Sequence, residues 1–596
     1  MYDLFKAELF RFRYGALAYF LVHGGLIAFY GRVTDLLQQS PMVVQGVAAV
    51  YALSGVLLGL YQMGGYRRPN RWLNLIHRPV HPRRIALALI GAASVLILVA
   101  VVVPMVLLLG VQETLSARVV DLRHWLIPVA GFLIAFASYL AGAYAVLGVR
   151  RYAPFVLILP ALLAFSDSVG LGAIAVQLLV ALWLGFLVLT AFRPDLTRIP
   201  ARPAELAATG LPVAMAVYLV LLTVGGIAFQ LGWIMLGTHP LNSIPAKGGM
   251  VEASRSEGPA LIADGLSARR DPQARLWREQ LAISDSFKIQ PGFDQLPVRG
   301  ELTNTVPIEF DDNERGINWT FSHDSMRFEG RRTVGGAAYK SLGLGDRGQP
   351  FQRPPVSIGD GTMVDAGRVA RFDQESERIE PRIAVPAGET IAAPPAPIGE
   401  SIALLTDKAL YFYDAQVLVS GDRLFPARQR VSLAGPIGNL DRIDIVELLD
   451  GYLVSETFGR GNPDGEGDSW QQIVRVDGAG REFMVARRDL VSDFPTLSRF
   501  RDFWLSPSLR TAYRGAMRLF APSTPLRESR ASAVPGFVWA LALALSLLAL
   551  AGAWWWSGRV GLSRGRRIGW SIASALAGLP GLITLILFHP KRTQAV

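Results

Sequence analysis

Nine apolar runs punctuate this chain, seven before residue 237 and two after residue 533, with one long polar stretch between them. A run of about 20 apolar residues reaches across the roughly 30 Å hydrocarbon core of a bilayer. Inside that core each backbone N–H and C=O must find its partner within the protein, so such runs fold as helices. The runs fall at 14–31, 43–63, 85–110, 125–148, 154–170, 171–192, 211–237, 534–556 and 569–588. The fifth is short and carries Pro154, Pro160 and Asp167. Only 18% of residues are charged, against about 25% in soluble domains, and 51% are hydrophobic. The chain therefore reads as a polytopic α-helical membrane bundle of about eight or nine transmembrane helices. A large, mainly β extracytoplasmic domain is inserted before the last two membrane segments.

Basic residues in short loops stay on the cytoplasmic side of a membrane. The 64–84 loop holds Arg67, Arg68, Arg71, Arg78, Arg83 and Arg84 without an acid, Arg150 and Arg151 follow the fourth run, and Arg559, Arg564, Arg566 and Arg567 follow the eighth. One topology puts all three loops in the cytoplasm, starting inside with Lys6, Arg11 and Arg13 and sending 238–533 to the periplasm of a bacterial inner membrane. The net charge of +11 thus does topological work, and a nucleic-acid role is rejected. The first run has no A-x-A cleavage site, so the N-terminus is expected to stay on the protein. A ninth full span would place Lys591 and Arg592 outside, against the rule. Gly578-Leu579-Pro580-Gly581 offers a break at which the last segment kinks or re-enters, and a plain ninth span stands as the equal alternative.

Residues 1–13 place Leu4, Phe5, Leu9 and Phe12 toward one side of a helix, which reads either as an amphipathic interfacial helix or as a basic anchor for the first span. In the loop that follows the second span, Trp72, Leu75 and Ile76 fall at i, i+3 and i+4, and Pro79 stops the short helix. An exposed apolar face on a cytoplasmic helix calls for a partner.

Two segments, Lys6-Ala7-Glu8-Leu9 with Arg11 and the Trp72-x-x-Leu75-x-x-Arg78-Pro79-Val80-x-x-Arg83-Arg84 loop, resemble permease subunits of ABC type-2 exporters. The resemblance covers about the first 190 residues, or roughly six spans. It implies that the first cytoplasmic loop carries a coupling helix, with Trp72, Leu75, Ile76 and Arg78 contacting a cytoplasmic ATP-binding subunit. It also implies a homodimer, or a heterodimer with a second permease. The chain departs from that pattern by its extra spans after 210 and by the size of its insert. The domain plan expected is an interfacial helix at 1–13, a six-span exporter-like domain at 14–192, a linker and seventh span at 193–237, the periplasmic domain at 238–533, and terminal membrane segments at 534–596. The alternative is a membrane-anchored periplasmic binding or sensor protein.

Within the insert, 238–300 reads as a linker with a short helix, and 301–490 as β-rich. Runs at 317–328, 401–413, 429–433, 442–448, 452–457 and 471–476 show strand-like texture. Ala403 to Tyr413 resembles a propeller hairpin, yet no repeat of about 40 residues is evident, leaving propeller and sandwich both open. Prolines crowd 346–400, which reads as loops and edge segments. Residues 491–533 read as a helical return to the membrane.

Catalytic signatures are missing. There is no G-x-x-x-x-G-K-[ST], no H-E-x-x-H and no cysteine, so ATP hydrolysis is expected on a partner, with no cofactor or metal and no enzymatic role for this chain. Asp311-Asp312-Asn313-Glu314 lacks the glycine and glutamate of a calcium loop and reads as a solvated turn. His323-Asp324 would point to opposite faces of a strand, against a hydrolase reading. His23 and Asp167 are the ionisable residues nearest membrane depth, where a charge is costly enough to earn a functional assignment; a neutral core histidine and an interfacial helix end are the competing readings.

Overall fold

The structure, a computed structural model, describes residues 2–33, 39–116, 119–164, 170–196, 199–200, 202–301, 309–359, 361–418, 424–520 and 525–591. Seven helices among these are long and apolar enough to cross a membrane. They are α1 (Tyr2–Val33), α2 (Pro41–Tyr66), α4 (Pro82–Leu115), α5 (Leu122–Leu147), α7 (Gly170–Ala191), α8 (Pro203–Leu236) and α13 (Gly536–Arg559). The short helix α3 (Pro69–Ile76) joins α2 to α4, and the short apolar segment α6 (Ala153–Ala164) stands where the fifth span was expected. Asp167 lies outside the described residues.

Residues 2–13 do not form a separate interfacial helix. They are the opening turns of the continuous α1, and Glu8 is buried at 3% exposure. No proline or glycine stands between Leu4 and Tyr14 to break the helix, and the polar side chain finds partners inside the bundle, as described below.

The tightest helix pair is α2 with α5. A methyl group at Gly55 would sit 2.0 Å from Ala135 O, at Gly59 2.2 Å from Tyr139 O, and at Gly142 2.5 Å from Val56 O. The two backbones touch because these positions have no side chain, which is how small residues drive helix association where lipid removes the hydrophobic advantage. Helix α1, by contrast, packs on α4 rather than on α2.

The C-terminal segment is a helical hairpin. Helices α14 (Arg564–Ala577) and α15 (Leu579–Phe588) have 14 and 10 residues, about 21 and 15 Å long at 1.5 Å per residue, too short to cross separately. Gly578, at φ +67°, makes the turn. The Phe588 ring returns to 5.7 Å from Trp570 and stacks at 4.0 Å on Tyr152, and Trp556 Nε1 donates to His589 O at 2.8 Å. The end of α15 thus comes back beside Trp570 in the middle of α14 and the last turn of α13, so the segment at 569–588 is not a plain ninth span.

The insert begins with three short helices, α9 (Met250–Arg255), α10 (Gly258–Gly265) and α11 (Pro272–Leu281). They are no loose linker: Ile262, Leu266, Trp277 and Leu281 pack into one core with Val446, Leu453 and Ile473. Strand β1 (Ser286–Ile289) pairs antiparallel with β14, which runs Leu440–Leu448. Among the described residues four antiparallel sheets follow in chain order: β2–β5 between Glu309 and Leu342, β6–β9 between Val356 and Ala384, β10–β13 between Ala396 and Ser432, and β14–β17 between Leu440 and Asp489, with β1 on the outer edge of the last. Each is a meander of sequential strands. Trp319, Phe328 and Phe372 join the first two sheets, and Val369, Leu404, Phe412 and Val454 join the last three.

Two sequence expectations change here. The proline-rich 346–400 stretch contains a complete sheet; Pro381 is accommodated because it sits beside a register shift on β9 (Arg378–Ala384), an edge strand that tolerates a missing donor. A repeat also exists, with sheets beginning at intervals of about 40–50 residues as in blade-type architectures. Its clearest trace is the turn Phe321-x-x-x-Ser325-Met326-Arg327, which recurs as Phe372-x-x-x-Ser376-Glu377-Arg378. The equivalent residues Met326 and Glu377 are both left-handed, at φ 54° and 48°. Side chains outside these turns differ enough to hide the period.

Beyond Asp489 the chain turns helical, as expected, ending in α12 (Pro507–Phe520), which lies against α7, α8 and α14.

Candidate functional site

Three arrangements are built by distant parts of the chain. The first is α3. Trp72 and Leu75 are 4% and 2% exposed, so the apolar face expected to await a partner is already covered by the protein itself. The Trp72 ring lies 5.0 Å from Phe192, and its Nε1–H points at Arg193 O and Pro194 O, each at 3.2 Å. Ile76 is half-buried against the same core. What α3 presents outward is Arg71, Leu73, Asn74, His77 and Arg78. Of the residues assigned to partner contact, only Arg78 is exposed; Trp72 instead fastens α3 to the chain just past α7, and Leu75 and Ile76 pack into the bundle core.

The second is a seam of polar rungs between α1 and α2. Near the α3 end, Glu8 accepts from Gln62 Nε2 at 2.9 Å and from the Tyr66 hydroxyl at 2.5 Å, and pairs with Arg11 at 3.3 Å. Tyr139 of α5 donates to Gln62 Oε1 at 2.8 Å. Further along, Ser54 Oγ lies 3.2 Å from the Tyr19 hydroxyl. Next, the Tyr51 hydroxyl donates to His23 Nε2 at 2.8 Å while His23 Nδ1 donates to Ala100 O at 3.1 Å. That carbonyl lies in the π-helical turn Leu98–Val102 of α4, where widened pairing frees backbone acceptors. Tyr30 donates to Gln39 Oε1 at 2.6 Å at the far end. Both nitrogens of His23 are thereby occupied, the arrangement of a neutral core imidazole. Gln62 and Tyr139 were not singled out from sequence, and Glu8 entered only as part of the Lys6-Ala7-Glu8-Leu9 segment, although a carboxylate on a spanning helix is a signal.

The third arrangement joins the insert to the bundle. Asp121, which caps α5, pairs with Arg123 at 2.8 Å, lies 3.0 Å from His124 Nδ1, and accepts from the backbone N–H of His323 at 3.1 Å. Asp324 in turn accepts from the Leu122 N–H at 3.0 Å, and Arg331 donates to Ser116 O at 3.3 Å. Burial works against ionising Asp121, yet hydrogen bonds from His124 and Arg123 outweigh it and hold the carboxyl below its ordinary range. Burial, aided by Arg123, pushes His323 down to about 3, so it is neutral. The His323-Asp324 pair is therefore a docking turn on the end of the most buried long helix. Asp312, from the acidic cluster, pairs with Arg315 at 3.2 Å.

Among the described residues no three His, Asp or Glu side chains assemble as a metal-binding group. Comparison with models of known protein families and with curated protein sequences finds no match.

Proposed function

We propose that this chain is the membrane-spanning permease subunit of an ABC transporter, moving its substrate across a bacterial inner membrane with ATP hydrolysed on a separate cytoplasmic subunit. In this reading α3 and the Arg150, Arg559 and Lys591 ends face the cytoplasm, and 238–533 faces the periplasm. The six long helices before residue 238 and the short α6 all cross in this reading, and the hairpin of α14 and α15, whose end returns beside Trp556, supports Lys591 lying on the side of Arg559.

The observation that carries the proposal is the mounting of α3. A helix that passes force from an ATPase to a bundle must be rigidly fixed on one side and open on the other. Trp72 and Leu75 supply the fixed side, and Arg71, Asn74, His77 and Arg78 the open, basic one. The partner groove would carry carboxylates to match. The test is co-purification of an ATPase with the tagged protein from native membranes. The double variant Arg71→Glu with Arg78→Glu should release the ATPase while the protein keeps its thermal stability. Retention at parental stoichiometry would overturn the reading.

The second reading, a membrane-anchored periplasmic binding or sensor protein, draws support from the Asp121–His323 junction, which ties the insert to the end of α5. Deleting 250–525 would abolish function outright under this reading and spare ATPase recruitment under the first.

A further inference from the structure

We propose that the cleft between α1 and α2 is a binding site for one single-chain amphiphile with an uncharged hydroxyl or ester head, taken sideways from the bilayer. This goes beyond the transport reading and does not depend on it, because binding is measured on the protein alone.

The cleft has a volume of about 610 Å³, within the roughly 300–1,000 Å³ of small-molecule sites. Its floor is Met105, Ile127 and Ile134, and its rims include Leu26, Phe29 and Val47, which are 63%, 71% and 45% exposed. A narrower extension of about 160 Å³, lined by Phe12, Ala16 and Leu58, continues toward the α3 end, and Tyr19 lines both parts. The opening does not close because α1 leans on α4 while the Glu8–Gln62 and Tyr30–Gln39 rungs pin its two ends to the α2 side.

Polarity ranks the occupants. A flexible hydrocarbon chain can occupy both the wide part and its narrow extension. The polar atoms at mid-depth are the hydroxyls of Tyr19, Tyr51 and Ser54 and the imidazole of His23, whose nitrogens are both occupied. These neutral groups match a hydroxyl or ester. They offer no cation for a phosphate, and an unpaired charge at this depth is costly.

The experiment uses the full-length protein in lipid nanodiscs with a monoacylglycerol carrying a photoactivatable diazirine in its chain, read by peptide mass spectrometry. Labelling should saturate and concentrate on peptides from residues 16–51. Unlabelled monoacylglycerol should compete, and a lysophosphatidic acid of equal chain length should compete about tenfold less well. Val47→Trp and Gly15→Leu, which fill the wide and narrow parts, should each lower labelling by about fivefold or more. Gly15 has nothing within 4 Å of an added methyl, and Val47 is open to lipid, so both variants should fold. Leu53→Trp, exposed on α2 away from the cleft, should change nothing. Labelling that never saturates and spreads equally over α7 and α13 would overturn the site. Equal competition by lysophosphatidic acid would overturn the head-group assignment. Disulfide cross-linking of two Val47→Cys copies, clean in a chain with no other cysteine, would reassign the cleft to a protein interface.

Discussion

Replacing Trp72 separates a fastening role from a partner-contact role. At 4% exposure the indole buries nearly its whole surface, roughly 200 Å² for a tryptophan, or about 5 kcal/mol at 25 cal/mol per Å² as an upper bound. Large-to-small substitutions of buried aromatic residues cost about 3–5 kcal/mol, so Trp72→Ala should cost a similar amount. Trp72→Phe keeps most of the apolar area and the stacking on Phe192 and loses the indole N–H shared by Arg193 O and Pro194 O; it should cost about 1–2 kcal/mol. Thermal unfolding of the purified protein in one detergent, followed by tryptophan fluorescence and by loss of solubility, orders the three proteins as parent, Phe, Ala. Phe192→Ala should lower stability less when Trp72 is already alanine, because neighbours in contact are not additive. A Trp72→Ala protein as stable as its parent would refute the fastening argument. It would also return Trp72 to the outer face of α3.

Three further outcomes follow from the geometry. Gly59→Leu should push α2 from α5, since even a methyl there would stand 2.2 Å from Tyr139 O, and should cost about 1–3 kcal/mol in a detergent-denaturation series; an unchanged midpoint would contradict the close approach. Glu456, fully buried on β15 (Gly451–Phe458), is pushed up to about 7 by burial, so its contribution is full below the ordinary carboxylate range and is lost as pH rises toward and through 7. The insert should thus weaken between about pH 4.5 and 7 by on the order of 3 kcal/mol, and Glu456→Gln should flatten that slope in a pH series of melting temperatures. Single cysteines at Arg71 and Lys591 should both react with an impermeant maleimide from the same face of sealed vesicles, and opposite faces would rule out the returning hairpin.

The apolar runs were legible because a membrane helix satisfies its own backbone and needs only about 20 apolar residues, a local property. The β-strands of the insert were legible for a like reason: 401–413 and 442–457 pair with their sequence neighbours as hairpins. The candidate site was legible only in outline. Spacing in Trp72, Leu75 and Ile76 correctly marks one helical face as covered, but it cannot say whether the cover is a partner or the chain itself. Over Trp72 the cover is Phe192 to Pro194, more than a hundred residues away. His23 was noticed because it is ionisable, while Glu8 passed as part of a polar flank, since only the fold brings Gln62 and Tyr66 to it.

The sequence alone therefore determined a membrane-spanning helical part and a separate β-rich region, because both follow from hydrophobic lengths and alternations within a few residues of one another. Tertiary structure alone decided that α3 is anchored through its apolar face, that the last segment doubles back, that His323-Asp324 is a docking turn, and that α1 stands off α2 across a polar-runged cleft. Each of these depends on which surfaces meet after folding, and a burial pattern records that a side chain is covered without recording what covers it.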